Sequence, residues 1–600
     1  MTTAVIDLFA HENLAEAFAE RVKAFPDRAA LTFYRGSTAT AHDVVTYTEL
    51  SRRAWLRAAA LGERLKAGER VLIALPNGPE FVEVYLGCLF AGLIAVPTPP
   101  PGGRTNAVER IAAIIQDCRP ALIVTDPSGC AEFAEQLRGF GMADVPVVPA
   151  EPVDPGTTAP ASFADGRRTQ QDSVAAIQYS SGSTGTPRGV VLTHGAIMAN
   201  CQAMATIGLD REVFGSWLPF HHDMGLFIML TAPLLLGAPV VLMAPGDFVR
   251  RPVEWLRMLD TFGCTSAAGP NFAFDLCTRA IPDDKLAGLD LSRLRFIMNG
   301  SEPIHLPTMR AFSARFASVG LAPSAVSPCY GLAEAVAYVS TNPGLVMPKT
   351  LVVDQAGLED GAAPRLSPVA DGATGREIVG CGEFASTIEA RIVDPATRVA
   401  LPEGRVGEIW LRGGNVGLGY WNRPEMTEQI FGARIEGASG SEDDGPWLRT
   451  GDLGAVSEGE IFVTGRIKEL LIIRGRNLYP QDVEQQARAA HSALDGFLGA
   501  AFGVGAHDER MVLVHEVNPQ TAEAELPGVA STVARRLTTE FGVPVRNVML
   551  VRRGTVRRTT SGKIQRSAMR ERFLAGDLAA LHAELEPEVR ELATTSAELA

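Results

Sequence analysis

Apolar residues recur along the first third of the chain in two alternating rhythms. Residues 13–24 and 48–65 space them three and four apart, as one face of a helix requires. Val71-Leu72-Ile73-Ala74-Leu75 is instead a short unbroken run closed by Pro76-Asn77-Gly78, the pattern of a buried strand. The alternation continues with a helix over 80–91, a strand at 94–97, a break at the Pro-Pro-Pro-Gly-Gly run 99–103, a helix over 108–117 and a strand at 121–124. Strands alternating with helices predict right-handed βαβ units and a largely parallel sheet. After a Pro/Gly/polar connector at 150–172, residues 173–179 read as another buried strand, and the alternation resumes at 240–242, 265–268 and 296–298.

Further on the texture changes. Residues 346–376 are rich in Gly, Ala, Pro and Asp with weak periodicity and read as an inserted segment. Residues 386–412 predict antiparallel strands, clearest at Glu408-Ile409-Trp410-Leu411, and 437–446 a loop. From Leu470 onward the pattern is that of a small α+β module, ending in a charged helix or frayed tail at 584–600. The expected fold class is α/β: a large N-terminal domain of βαβ-type sheets with a small β-rich subdomain, then a small mobile α+β domain. No repeat of fixed period is present.

A chain of 600 residues implies several domains. An apolar content of 46% and a charged content of 21% fit an ordinary folded protein. The excess of 69 acidic over 55 basic residues, a net charge of −14, opposes non-specific binding to nucleic acid. The eight cysteines form no C-x-x-C pair, so reduced, buried thiols and a cytoplasmic location are expected. Asp7, His11 and Glu12 interrupt any secretory signal. Residues 227–245 lack charge over a membrane-spanning length, but Pro233, Gly237, Pro239 and Pro245 divide them into a buried helix, a turn and a buried strand, so no integral membrane association is expected.

The stretch with most chemical content follows the strand at 173–179. Ser180, Ser181, Gly182, Ser183, Thr184, Gly185 and Thr186 lead into Pro187, Arg188 and Gly189. Such a loop of N–H and O–H donors closed by a cation suits a polyphosphate. It does not match the Walker A spacing. A flexible linker shares this composition, but the flanking apolar strands argue for a loop set into a sheet. Five other stretches stand out: His221-His222-Asp223-Met224-Gly225-Leu226; Asn299-Gly300-Ser301-Glu302-Pro303; Tyr330-Gly331-Leu332-Ala333-Glu334; Arg449-Thr450-Gly451-Asp452; and Thr559-Thr560-Ser561-Gly562-Lys563. Each alone reads equally well as a turn, a cap or a surface lysine.

Together, in this order and spacing, the six resemble the adenylate-forming superfamily of acyl-CoA ligases, adenylation domains and luciferases, over residues 10 to 580. HHDMGL at 221–226, GPNFAFDLC at 269–277, VGCG at 379–382 and GRIKELLIIRGRNLYPQDVE at 465–484 are most similar to fatty acyl-AMP ligases, and the insertion after YGLAE falls where that family carries one. The resemblance implies that a carboxylate attacks the α-phosphate of ATP, giving acyl-AMP and pyrophosphate, and that the phosphopantetheine thiol of an acyl carrier protein then accepts the acyl group. It implies Ser180 to Gly185 and Arg188 on the phosphates, with arginine where the family usually has lysine. Glu334 is implied on Mg2+, Tyr330 and Gly331 on adenine with Gly300 and Ser301 at its edge, and Asp452 with Arg466 on the ribose. Lys563 bridges carboxylate and α-phosphate, while His222 shapes the carboxylate entrance. The acyl pocket is expected from Met224, Gly225, Phe227, Gly269, Asn271 and Phe272. The implied organisation is a domain over 1–465, a hinge over 466–468 centred on Lys468, a mobile domain over 469–583 and a tail over 584–600.

Overall fold

The computed structural model describes residues 6–38, 42–102, 105–154, 156–158, 169–180, 187–342, 346–361, 364–369, 375–438, 440, 443–474, 476–505, 509–559 and 562–595. The expected phosphate-loop residues Ser181, Gly182, Ser183, Thr184 and Gly185 therefore lie outside the described residues.

Two large sheets form the body. Seven strands run in the order Gly419–Tyr420, Arg188–Thr193, Val174–Ser180, Ile94–Pro97, Arg70–Ala74, Leu122–Thr125, Val147–Pro149. The inner pairings are parallel, Val71 facing both Ala95 and Leu122. Val71 and Ile73 point into the main core while Leu72 and Ala74 join a second core with the helices Thr105–Cys118 and Cys130–Gly139. A strand covered on both faces must be apolar at every position, which is why the sequence shows runs rather than alternation. The second sheet has nine strands, with Ser266–Gly269, Phe296–Asn299 and Val326–Tyr330 parallel at its centre. The helix Pro79–Phe90 is buried at every position from Phe81 to Phe90.

The uncharged run behaves as a π-helix over Met224–Thr231, a short helix Ala232–Leu236 and the strand Val240–Leu242. Thr231 donates its hydroxyl to the carbonyl of Leu226, five residues back, at 2.8 Å, which suits the wider π turn. No helix among the described residues is long and apolar enough to cross a membrane. All eight cysteines are free thiols, and all but Cys130 are buried.

Four antiparallel strands, Ile388–Val393, Gly407–Gly413, Leu448–Ser457 and Glu460–Arg466, make the small β-rich subdomain. The segment read as an insertion begins an antiparallel pair, Thr350–Asp354 with Gly375–Val379, whose second strand runs past its expected end at 376. Val353, Leu358 and Ile378 of this region pack with Leu453 and Phe462 of the subdomain and with Tyr479 from beyond it.

The C-terminal unit holds a mixed four-stranded sheet, Gly499–Val504, Arg510–Glu516, Asn547–Val551 and Ala580–Glu584. Alternation serves both its faces: Ala501 and Leu513 meet the helices Pro480–Ala490 and Leu526–Phe541, while Phe502 and Val512 meet Arg566–Leu574 and Pro587–Thr595. Of the two readings of the terminal stretch, a charged helix or a tail, residues Pro587–Thr595 form a helix. The strand ending at Glu584 completes the sheet, and the following helix docks through Val589, which is fully buried with Met569 and Phe573.

Candidate active site

A cavity of about 980 Å³ lies where the nine-stranded sheet, the β-rich subdomain and the C-terminal unit meet. The strand Val326–Tyr330 delivers Tyr330 to its wall, and the chain then turns sharply. The Ala337 N–H donates to the Ala335 carbonyl at 2.8 Å across Val336, whose φ of 65° is rare for a β-branched residue. This turn brings the Ala337 carbonyl against Gly331, where a Cβ would sit 1.6 Å from the oxygen, so only glycine fits at 331. Glu334 is thereby presented to the cavity, with one carboxylate oxygen accepting from the Tyr420 phenol at 2.7 Å.

Asp452 enters from the subdomain strand Leu448–Ser457 and is 5% exposed. It accepts from the Tyr330 phenol at 2.9 Å and from Arg466 Nε at 2.6 Å. Burial, reinforced by this carboxylate, pushes the Tyr330 phenol far above its ordinary range, so it stays a donor. A carboxylate accepts about four hydrogen bonds, so Asp452 keeps capacity for a ligand hydroxyl.

Lys563 comes from the C-terminal unit. Its hairpin is closed by Thr559 N–H to Lys563 O at 2.8 Å and by Gly562 N–H to Thr559 O at 2.9 Å. The next helix, Arg566–Leu574, is pinned by Arg566, which bonds both oxygens of Glu484 at 2.7 and 2.8 Å and Glu469 at 2.6 Å. The tip sits directly on the body, since a Cβ on Gly562 would lie 2.5 Å from the Phe272 ring. Lys563 stays accessible to solvent yet is ringed by protein, as the wall of a deep wet cleft demands. Burial and the neighbouring Arg466 lower its pKa, while Asp223, Glu302 and Asp452 oppose that shift.

His222 faces the same cavity and is held well below its ordinary pKa, first by burial and then by His221 and Lys563, so it is neutral at pH 7. Ser180, Arg188, Ser301 and Lys468 also line the cavity. Of the expected acyl-pocket residues, Met224, Asn271 and Phe272 line it; Gly225, Phe227 and Gly269 are buried behind the wall, as is the nucleotide-edge candidate Gly300. The helical turn explains part of this placement: Met224 and Ile228 share the cavity face of the π-helix, and Phe227, fully buried, points into the core. Gly300 is pressed against Cys329, whose sulfur would lie 2.5 Å from a Cβ there.

Sequence reasoning assigned no role to Asp223, Glu302 or Tyr420. The first two stand inside motifs already singled out, so their proximity to Lys563 was within reach. Tyr420 carried no signal, because it lies 86 residues from Glu334 along the chain.

Architecture and cavity together define an α/β enzyme whose ligand site is shared between a large body and a small C-terminal unit. The family model described as "AMP-binding enzyme" matches residues 18–421. The chain is 39% identical over 591 residues to the 4-hydroxyphenylalkanoate adenylyltransferase of Mycobacterium tuberculosis, covering 95% of this chain and 93% of that one. It is 38% identical to the long-chain-fatty-acid–AMP ligase FadD26 of the same organism, over 92% and 96% of the two chains. The solved fatty acyl-adenylate ligase of L. pneumophila, in complex with acyl adenylate and pyrophosphate, superposes with a TM-score of 0.71 at 30% identity, over 96% and 98% of the chains. The chain belongs to the AMP-binding enzyme family, and it is an adenylate-forming ligase. The family resemblance read from its motifs is borne out.

Proposed function

We propose that the protein activates a fatty acid with ATP and passes the acyl group to the phosphopantetheine thiol of an acyl carrier protein. The carboxylate oxygen attacks the α-phosphorus in line, the bond to the bridging oxygen breaks, and pyrophosphate leaves. A fatty carboxylate is already ionised at pH 7, so no base is needed, which matches a neutral His222. The demands are positioning and charge neutralisation. Arg188 and the 180–185 loop hold the outer phosphates, Tyr330 and Gly331 pack on adenine with Ser301 at its edge, and Asp452 with Arg466 holds the ribose. Lys563 binds the carboxylate and the α-phosphate as charge moves between them. Met224, Phe272 and Asn271 begin the acyl pocket.

Mg2+ neutralises phosphate charge when bound. Glu334 is the residue to hold it: among the described residues no three His, Cys, Asp or Glu converge as a protein metal cage, and a hard cation shared with a triphosphate needs only one or two carboxylates. In the second half-reaction the thiolate attacks the acyl carbon and AMP leaves. That step needs the unit beyond Lys468 to swing, with 466–468 as the hinge, 1–465 as the body and 469–583 as the moving part.

The observation that carries this reading is the meeting of Lys563, Asp452 and Glu334, from three separate parts of the chain, at one cavity. Relatives named for fatty-acid and hydroxyphenylalkanoate adenylation support it. To test it, the protein is incubated with ATP, Mg2+ and carboxylic acids of several lengths, without thiol, with CoA, or with a holo carrier protein, and products are identified by mass spectrometry. Acyl-AMP that persists with CoA and disappears with the carrier is expected; rapid acyl-CoA formation would instead make the protein a CoA ligase of the same fold.

A further inference from the structure

We propose that Tyr420 is a positioning residue that couples the cation-holding carboxylate to the phosphate-holding arginine. This rests on the role given above to Glu334. Residues 417–421 are stitched to both partners at once. The Gly417 N–H donates to the Glu334 backbone carbonyl at 2.9 Å, while Leu418 N–H and Trp421 N–H donate to Val191 O at 2.9 Å and Gly189 O at 2.7 Å. Tyr420 sits between these anchors, paired with Val190 across the sheet, two residues beyond Arg188. Its phenol donates to Glu334 Oε1 at 2.7 Å and also interacts with the Arg188 side chain. The ring is fixed by an edge-on contact with Phe431, their centroids 5.2 Å apart.

Two consequences follow from this geometry. The phenol selects one orientation of the Glu334 carboxylate, so the cation meets a prepared ligand rather than a mobile one. Because one hydroxyl touches both the carboxylate and the arginine, cation binding and triphosphate binding are coupled.

Tyr420→Phe keeps the ring and its contact with Phe431 and removes only the hydroxyl. ATP affinity is measured by calorimetry in excess Mg2+ and again in EDTA, for the wild type, Tyr420→Phe and Glu334→Gln. In the wild type Mg2+ is expected to strengthen ATP binding. In Tyr420→Phe that strengthening is expected to fall about tenfold, as for one lost hydrogen bond to a charged group, with little change in EDTA. The Mg2+ concentration for half-maximal pyrophosphate exchange is expected to rise by a similar factor. An unchanged Mg2+ effect in Tyr420→Phe overturns the inference, whatever happens to thermal stability. If Glu334→Gln also leaves the Mg2+ effect intact, the Glu334 assignment falls with it; if only Glu334→Gln abolishes the effect, Tyr420 alone is excluded.

Discussion

Replacing Gly562 with alanine should cripple adenylation while leaving nucleotide affinity intact. Gly562 has a φ of 89°, in the region that L-residues avoid, and an added Cβ would lie 2.5 Å from Phe272. The backbone penalty is about 1–2 kcal/mol and falls on the hairpin in any arrangement of the C-terminal unit. Displacing the Phe272 ring from its rotamer costs about 1 kcal/mol more, and only when the tip is seated. Together about 2–3 kcal/mol lowers the population of correctly presented Lys563 roughly 30- to 150-fold. Fatty-acid-dependent ATP–pyrophosphate exchange measures the loss, with ATP affinity measured alongside. The affinity should hold, because no proposed nucleotide contact involves Gly562. Exchange at the wild-type rate would refute the reasoning, since it would mean that the Gly562–Phe272 contact is not made when the reaction occurs.

Lys563→Ala should reduce acyl-AMP formation by about two orders of magnitude or more while ATP binding changes little, because its contacts tighten in the transition state; single-turnover quenching checks this. Asp452→Ala should weaken ATP binding by about tenfold or more in calorimetry, having lost charge-assisted hydrogen bonds and left Arg466 without its partner. The protein should also be acid-labile. His194 and His515 are fully buried, and burial lowers the pKa of each to about 4. A histidine whose folded pKa lies below its unfolded one contributes stability above the unfolded value, near 6.5, and loses it as pH falls toward 4. Each contributes at most about 3 kcal/mol across that window. Urea midpoints between pH 7 and pH 4 should therefore fall, and His515→Gln should flatten part of the slope.

The body was legible because its central strands are covered on both faces, which turns Val71 to Leu75 into an apolar run that no surface strand would show. The site was legible where its residues sit in short turns at the ends of such strands, as Tyr330 and Glu334 do beyond Val326–Tyr330. Contacts between distant segments left no trace in the pattern. Tyr420 meets Glu334 only because a two-residue strand pairs with Arg188–Thr193, and Phe272 meets Gly562 only because the C-terminal unit is seated. The pair Thr350–Asp354 and Gly375–Val379 leaves no clear pattern because it is largely half exposed, so its few core positions, Val353 and Ile378 among them, make no period. The helix Pro587–Thr595 offers little pattern to read because, among its residues of described burial, only Val589 is buried. Around Phe227 the limit is simpler: in a run apolar on every side, composition does not say which residue faces the cavity.

The most direct test of the central claim follows oxygen. A fatty acid carrying 18O in both carboxylate positions is incubated with the protein, ATP, Mg2+ and a thiol acceptor, and the released AMP is examined by mass spectrometry. Attack of the carboxylate on the α-phosphorus predicts one 18O atom in AMP for each turnover. Unlabelled AMP, or label in the released pyrophosphate, would contradict the account.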